Sequence, residues 1–355
     1  MPVHSPPRFF RLRSFLLRTG IRSPGVRSAP VGTPAGPGAI AAPGSGGRSS
    51  LVSTAAALLE RSRHSLLART RVTATIEGTS LRIAAFEGSR LESWISLPLN
   101  GNLARPGQIG DPIEFGSFLD ETFHRLKLPR DRVAWALPGW NAVSRVLDLS
   151  GVPDVELQRA IDEEVEEIFG ASADDGYVFW QRLDGRGRVQ RVFVLVVPRA
   201  TVLTALEALE VAGIRPLTMD LRPLALARGI GRMNAIAANL EEGCLDVVIV
   251  AGGIPRVMRS IQLPAAIGIE TAQARLVQEI ERALAYYDDL YPEHPLSPDV
   301  AVYLTGRLAT GIALAESVCR TTGRPIGRMT PAAGAPPDLP GAEYLVNVGL
   351  ALKRW

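Results

Sequence analysis

From residue 71 onward the apolar positions fall into short periodic runs. Val72–Ile76, Leu81–Phe86 and Leu91–Leu97 are rich in β-forming residues and are separated by turns that contain glycine, which predicts a three-stranded meander. The period then changes. Phe115, Leu119, Phe123 and Leu126 share one face of a helix predicted over Ile113–Leu128, and Val133–Leu137 reads as a short buried strand. A compact unit follows, with a strand at Arg145–Leu149, an acidic helix over Val155–Phe169, strands at Val178–Leu183 and Val192–Val197, and a helix over Ala200–Ala212 closed by Gly213. Leu217–Leu221 and Leu224–Gly229 add another strand and helix.

The last third repeats the opening grammar. Strands are predicted near Ala235–Leu240, Leu245–Val250 and Arg256–Ile261, then a long helix across Ala272–Leu290 and a strand at Val300–Thr305. A meander followed by helix and strand thus occurs twice, in pattern and not in sequence identity. Duplicated halves of this kind, closing on a cleft, are the arrangement of actin and the sugar kinases; a generic α/β domain is the alternative.

Composition divides the chain at the same place. Residues 1–50 hold no acid and are rich in Pro, Gly, Ser and Arg, with a low-complexity run from Pro30 to Gly47, so this segment is expected to be disordered. Within it, the segment from Arg8 to Arg18 is both basic and apolar, a composition suited to an anionic membrane surface but lacking the apolar core of a secretory signal. Leu51–Thr70 has the spacing of a short lead-in helix. Residues 1–71 carry eleven arginines and one acid (Glu60), a net of +10; the whole chain is +3, which leaves −7 for residues 72–355. The basic balance therefore belongs to the N-terminal segment, and nucleic acid is not the expected partner of the rest.

Chemistry-bearing residues are sparse. Cys244 and Cys319 are far apart with no ligand-spaced Cys or His beside them, so neither a disulfide framework nor a zinc site is predicted. His4, His64, His124 and His294 are scattered outside any nucleophile motif. No residue is assigned catalysis or metal binding. No run approaches the ~20 apolar residues of a membrane-spanning helix.

Several phrases, in order, resemble the PilM family of actin-like proteins from type IV pilus assembly. Thr75-Ile76-Glu77-Gly78-Thr79-Ser80-Leu81-Arg82 is similar to the family's first phosphate-loop strand pair. Trp135-Ala136-Leu137-Pro138 follows, then Ser144-Arg145-Val146-Leu147-Asp148-Leu149 and the acidic helix with Ala160-Ile161-Asp162-Glu163-Glu164. Ala212-Gly213-Ile214-Arg215-Pro216, Met219-Asp220 and Arg259-Ser260-Ile261 come next. Gln278-Glu279-Ile280-Glu281-Arg282-Ala283-Leu284-Ala285-Tyr286-Tyr287 resembles the long helix, Tyr303-Leu304-Thr305-Gly306 the adenosine-loop strand, and Asn347-Val348-Gly349-Leu350-Ala351-Leu352-Lys353 the closing helix.

The resemblance implies an α/β, actin-like (ASKHA) two-lobed fold with an inserted small α+β (SHS2-like) subdomain. It divides the chain into a tail (1–70), lobe I (71–139), the insertion (140–213), lobe I continued (214–234), lobe II (235–338) and a C-terminal helix returning to lobe I (339–355). It further implies a cytoplasmic scaffold, peripheral at the inner face of the cell membrane. Such a scaffold meets the N-terminal cytoplasmic tail of a PilN-like bitopic membrane protein, along with other pilus assembly platform proteins, and the basic N-terminal segment offers a peripheral membrane contact. On the insertion's first strand Arg145, Leu147 and Leu149 are the expected partner-binding residues; the alternative is that Arg145 pairs with Glu163 or Glu164 on the neighbouring helix.

The resemblance also places a nucleotide cleft between the lobes, lined by Gly78, Thr79, Ser80, Asn239, Arg282 and Gly306, with ATP and Mg as its cofactor if one binds. Each element departs from the family's pattern. Thr75 and Asn239 stand where Asp side chains organise the metal, Glu77 and Glu241 where glycines approach phosphate, and Gly306-Arg307 where Gly-Gly underlies adenosine. Loss of two metal-organising carboxylates, at roughly 1.5–3 kcal/mol each, weakens Mg–nucleotide binding by roughly 10²–10⁴-fold. The expected function is a scaffold with a degenerate cleft; the alternative is an active actin-like ATP-binding protein or ATPase.

Overall fold

The computed structural model describes residues 70–353, apart from 89, 171–173, 184–190, 265 and 330–338. The expected disordered tail, the lead-in helix and the basic apolar segment at Arg8–Arg18 lie outside the described residues.

Chain order opens with strands β1 (Thr70–Glu77), β2 (Ser80–Glu87) and β3 (Arg90–Pro98), a small hairpin of β4 (Ala104–Arg105) and β5 (Gln108–Ile109), helix α1 (Pro112–Arg125) and strand β6 (Val133–Leu137). Next come β7 (Val143–Asp148), α2 (Leu157–Phe169), β8 (Gly176–Arg182), β9 (Arg191–Pro198), α3 (Arg199–Val211), β10 (Pro216–Leu221) and α4 (Arg222–Ile230). The last third holds β11 (Ala235–Glu241), β12 (Cys244–Ala251), β13 (Ile254–Gln262), α5 (Ile269–Leu290), β14 (Val302–Thr305), α6 (Ile312–Thr322) and α7 (Leu345–Ala351).

The predicted duplication is present in the sheets. Lobe I has strand order β10-β6-β1-β2-β3, with β1–β2–β3 an antiparallel meander and β6 and β10 parallel to β1. Lobe II has order β13-β12-β11-β14, again an antiparallel meander with one parallel strand beside its first. Helices α4 and α7 lie between the sheets, where Ala225, Leu226, Val346 and Leu350 share one apolar cluster with Ala134 of β6 and Val248 of β12. This cluster joins the lobes at their base. Asn347 of α7 is buried and donates to the backbone oxygens of Thr73 (3.1 Å) and Arg82 (3.2 Å), which fixes α7 on β1 and β2.

The insertion is a three-stranded sheet, β7-β9-β8, packed on α2. Its central strand β9 is buried on both faces: Val192 and Val194 meet α2, while Phe193, Leu195 and Val197 join the lobe I core. The unbroken run Val192–Val197 follows from this, since a strand covered on both sides has no polar alternation. Helix α3 closes the insertion in sequence, yet Val202, Ala205, Ala208 and Leu209 lie in the lobe I core with Phe115 and Leu119 of α1.

Several predicted helix ends move: α5 begins three residues earlier than predicted, at Ile269, and α4 two residues earlier, at Arg222. Helix α1 starts where Asp111 Oδ1 accepts from the Ile113 and Glu114 amides (both 2.9 Å), and it stops three residues before Leu128. Lys127 takes a left-handed conformation (φ 52°), with Leu128 N–H on Phe123 O and Lys127 N–H on His124 O. That is a Schellman ending without glycine, so the sequence offers no signal for it. Helix α2 begins at Leu157, because Val155 is 91% exposed and belongs to no buried face.

Candidate functional site

The seam between the lobes is built from two hairpins, β1–β2 and β11–β12. In register, Thr75 faces Arg82 and Glu77 faces Ser80, while Asn239 faces Asp246 and Glu241 faces Cys244. The hairpins are therefore counterparts, position for position: Thr75 with Asn239, Glu77 with Glu241, Arg82 with Asp246. Their turns meet across the lobes. Thr79 Oγ1 donates to Glu242 Oε2 (2.6 Å), and a Cβ on Gly78 (φ 57°) would stand 3.0 Å from the Glu242 backbone.

Two arginines of lobe I fill the space behind these turns. Arg82 crosses from β2 and donates both terminal nitrogens to the Glu241 carboxylate (2.7 and 3.0 Å), with side chains only 1% and 0% exposed. Bidentate geometry of this kind is the strongest form of ion pair. Glu241 also accepts from the Arg307 amide (3.0 Å). Arg222, the first residue of α4, donates Nε to Asp246 Oδ2 (2.7 Å) and Nη1 to the Ile76 carbonyl (3.2 Å), and its guanidinium lies 5.9 Å from the Trp140 ring centroid. Burial opposes its charge, but Asp246 holds its pKa well above the ordinary arginine value. Asp246 accepts a further short hydrogen bond from Ser260 Oγ.

Glu77 is different. It is buried, and its two oxygens accept from neutral donors, Thr75 Oγ1 (3.1 Å) and Asn239 Nδ2 (3.2 Å). Asn239 Oδ1 in turn accepts from Thr305 Oγ1 (3.0 Å).

The structure thus brings Gly78, Thr79, Ser80, Asn239 and Gly306 to one seam. Gly306 (φ 88°) passes so close to β11 that a Cβ would stand 2.4 Å from the Leu240 carbonyl, so only glycine fits there. The Arg307 side chain reaches Glu242 (2.6 Å). Arg282 belongs to a second cluster on α5, where it donates to the buried Glu279 (2.5 Å) alongside Arg259 (2.9 Å) and Arg275 (2.9 Å).

Of the expected partner-binding residues, Leu147 and Leu149 are each 6% exposed and face inward onto α2. Arg145 is half-buried and lies over the Tyr286 ring of α5, 5.5 Å from its centroid, while Glu163 pairs with Arg159 (3.7 Å). Arg145 therefore links the insertion to lobe II. Where the insertion leaves lobe I, a cavity of about 180 Å³ is walled by Ile76, Trp135, Leu137 and Pro138 and by Ala200 and Thr204 of the first turns of α3. Sequence reasoning missed Arg222 and the cavity. Arg222 opens a helix 140 residues beyond Arg82, and nothing local marks it as a seam residue.

No family model matches the chain, and no curated protein matches it in sequence. Among solved structures it is similar to a chain of the "PilM-PilN type IV pilus biogenesis complex", with 19% identity and a TM-score of 0.63, covering 79% of this chain and 97% of that one. The fold is actin-like. Weaker likenesses extend to a Bacteroides thetaiotaomicron protein with an actin-like ATPase fold and unknown function (10% identity, TM-score 0.44, 79% of this chain and 95% of that). Another is the cytoplasmic domain of EpsL, an inner-membrane component of the Vibrio cholerae type II secretion system (12%, TM-score 0.45, 80% and 94%). Among the described residues of this actin-like chain no helix is long and apolar enough to cross a membrane.

Proposed function

We propose that this chain is a cytoplasmic actin-like scaffold of a type IV pilus or type II-like secretion platform. It docks at the inner membrane to the short cytoplasmic tail of a PilN-like bitopic protein, with an inter-lobe cleft held by its own side chains in place of Mg–nucleotide. The observation that carries this reading is the pair of buried cross-lobe contacts, Arg82–Glu241 and Arg222–Asp246, behind the two turns that hold phosphates in an actin-like ATPase. Arginine nitrogens stand there with acids already paired to them, so a nucleotide would have to break two buried ion pairs to enter. The likeness to the PilM–PilN structure over nearly the whole of that chain supports the scaffold reading.

The tail's docking groove lies between the insertion and lobe I. An extended peptide there gains affinity from main-chain pairing and selectivity from side-chain pockets, and the cavity beside Trp135 and Pro138 is sized for one apolar side chain. The test is fluorescence anisotropy with a labelled peptide copying the N-terminal cytoplasmic tail of a PilN-like bitopic protein. Binding is expected in the micromolar range, with at least about a tenfold loss in Thr204→Trp, which fills the cavity. Unchanged binding by a folded Thr204→Trp variant contradicts the docking site.

A further inference from the structure

The buried seam holds more acidic side chains than basic ones. Two arginines, Arg82 and Arg222, meet three carboxyls, Glu241, Asp246 and Glu77, and the first two carboxyls take the arginines in close pairs of 2.7 Å each. Glu77 is left with the Thr75 hydroxyl and the Asn239 amide, neither of which brings charge. The other groups facing it change nothing in the count. Cys244 on β12 is a thiol pushed up to about 12, chiefly by burial, and so stays neutral. Glu242 on the opposite turn is engaged by Thr79 and Arg307, and Glu343 lies beyond Arg82 at 3.5 Å. A third buried negative charge here would have no cation of its own.

We propose that the lobes close with a proton on Glu77, and that removing this proton as pH rises through neutrality loosens the contact between the β1–β2 and β11–β12 turns. The idea rests on the reading that protein groups, and not nucleotide, hold the seam. Burial pushes the Glu77 carboxyl up to about 7 from its ordinary 4.5; Arg222 and Arg82 pull it down, and Glu241 and Asp246 push it further up. The sign is fixed by that direction. A carboxyl that holds its proton more tightly when folded contributes its full stability below about 4.5, and the contribution is lost as pH rises through about 7. Both Glu77 oxygens accept in the structure, so on protonation one must donate instead: the Thr75 hydroxyl can turn to accept it, while Asn239 Nδ2 keeps its bond to the other oxygen and no charge is placed beside Asp246.

The proposal gives the seam a chemical setting. Across the physiological range the two turns would pass from firmly joined to weakly joined, with Asn239 as the neutral sensor contact on lobe II. Nothing else in the seam is required to change protonation.

The experiment is hydrogen exchange on the full chain, normalised for intrinsic rate, over peptides containing residues 75–82 and 239–246 between pH 6 and pH 8.5. Wild type is expected to lose about tenfold protection at both turns across that range, whereas Glu77→Gln, which keeps shape without charge, retains its pH 6 protection at pH 8.5. Equal wild-type protection at both pH values, or a Glu77→Gln protein less protected than wild type at pH 8.5, overturns the proposal. Should Glu77→Gln fail to fold, Thr75→Val decides. It removes a donor to the ionised carboxylate, so the loosening must move to higher pH, and an unmoved midpoint overturns the proposal. A parallel arm with 1 mM Mg–ATP separates the premises: nucleotide-dependent protection defeats the self-held seam, while pH-independent protection without nucleotide defeats the proton alone.

Discussion

The two halves of the seam start from equivalent positions and end in unequal states. On one side Arg82 crosses from lobe I to Glu241 of lobe II and completes a pair. By the pseudo-symmetry of the hairpins, the other side sets Asp246 of lobe II toward Glu77 of lobe I, an acid toward an acid. Duplicated architecture does not impose duplicated electrostatics. The second half closes only because α4 contributes Arg222 to Asp246. In this comparison one half is a self-sufficient pair and the other depends on a third element.

The sharpest way to break the comparison is Arg222→Met. Asp246 would remain fully buried beside Glu77 with Ser260 as its remaining side-chain partner among the described residues, and the expected loss is about 3–5 kcal/mol in denaturant unfolding. Arg82→Met should cost less, about 3 kcal/mol, because Glu241 keeps the Arg307 amide as a donor. Adding Glu241→Leu to Arg82→Met should restore about 1–2 kcal/mol of that loss, since an apolar pair replaces an orphaned charge. If Arg222→Met proves the milder change, the dependence of the second half on α4 is refuted.

Asp220 sharpens the contrast with an acid that has cations to spare. It is buried in lobe I between Arg228 (2.9 Å) and Lys353 (3.3 Å), and these outweigh the cost of burial to hold its carboxyl below the ordinary value. Its contribution is present above an ordinary pKa of 3.8 and is lost as pH falls through the depressed value. Asp220→Asn should therefore cost about 2 kcal/mol at pH 7 and flatten the acid limb of the stability profile, leaving any change near pH 7 untouched. A retained acid limb would place the sensitivity elsewhere.

How much of this could be read from sequence follows from locality. The meanders and the parallel strands announce themselves as short β-rich apolar runs bounded by turns, most of them buried on both faces, and the long α5 helix through its period of 3.6. The Glu residues at 77 and 241 also stood out, as acids at turns where glycine approaches phosphate in the related fold. What they do was not legible. Their partners, Arg82 and Asn239, lie 159 and 162 residues away in the chain, and Arg222 is 24 residues from Asp246 on a different lobe. A carboxylate expected to repel phosphate instead receives an arginine, and that depends on the packing of two sheets. Leu147 and Leu149 turn toward α2, an orientation that strand alternation alone does not decide. Helix α3 packs on α1 as well as on β9 of the insertion it follows, and the approach to α1 is so close that a Cβ on Gly116 would stand 2.6 Å from the Ala208 carbonyl.

The central claim is that protein side chains occupy the cleft that nucleotide fills in active members of this fold. Isothermal titration of the full chain with Mg–ATP tests it most directly. The account predicts no saturable heat at micromolar nucleotide, because entry would have to displace Arg82 from Glu241 and Arg222 from Asp246. A dissociation constant below about 10 μM, equivalent to about −7 kcal/mol, would contradict it.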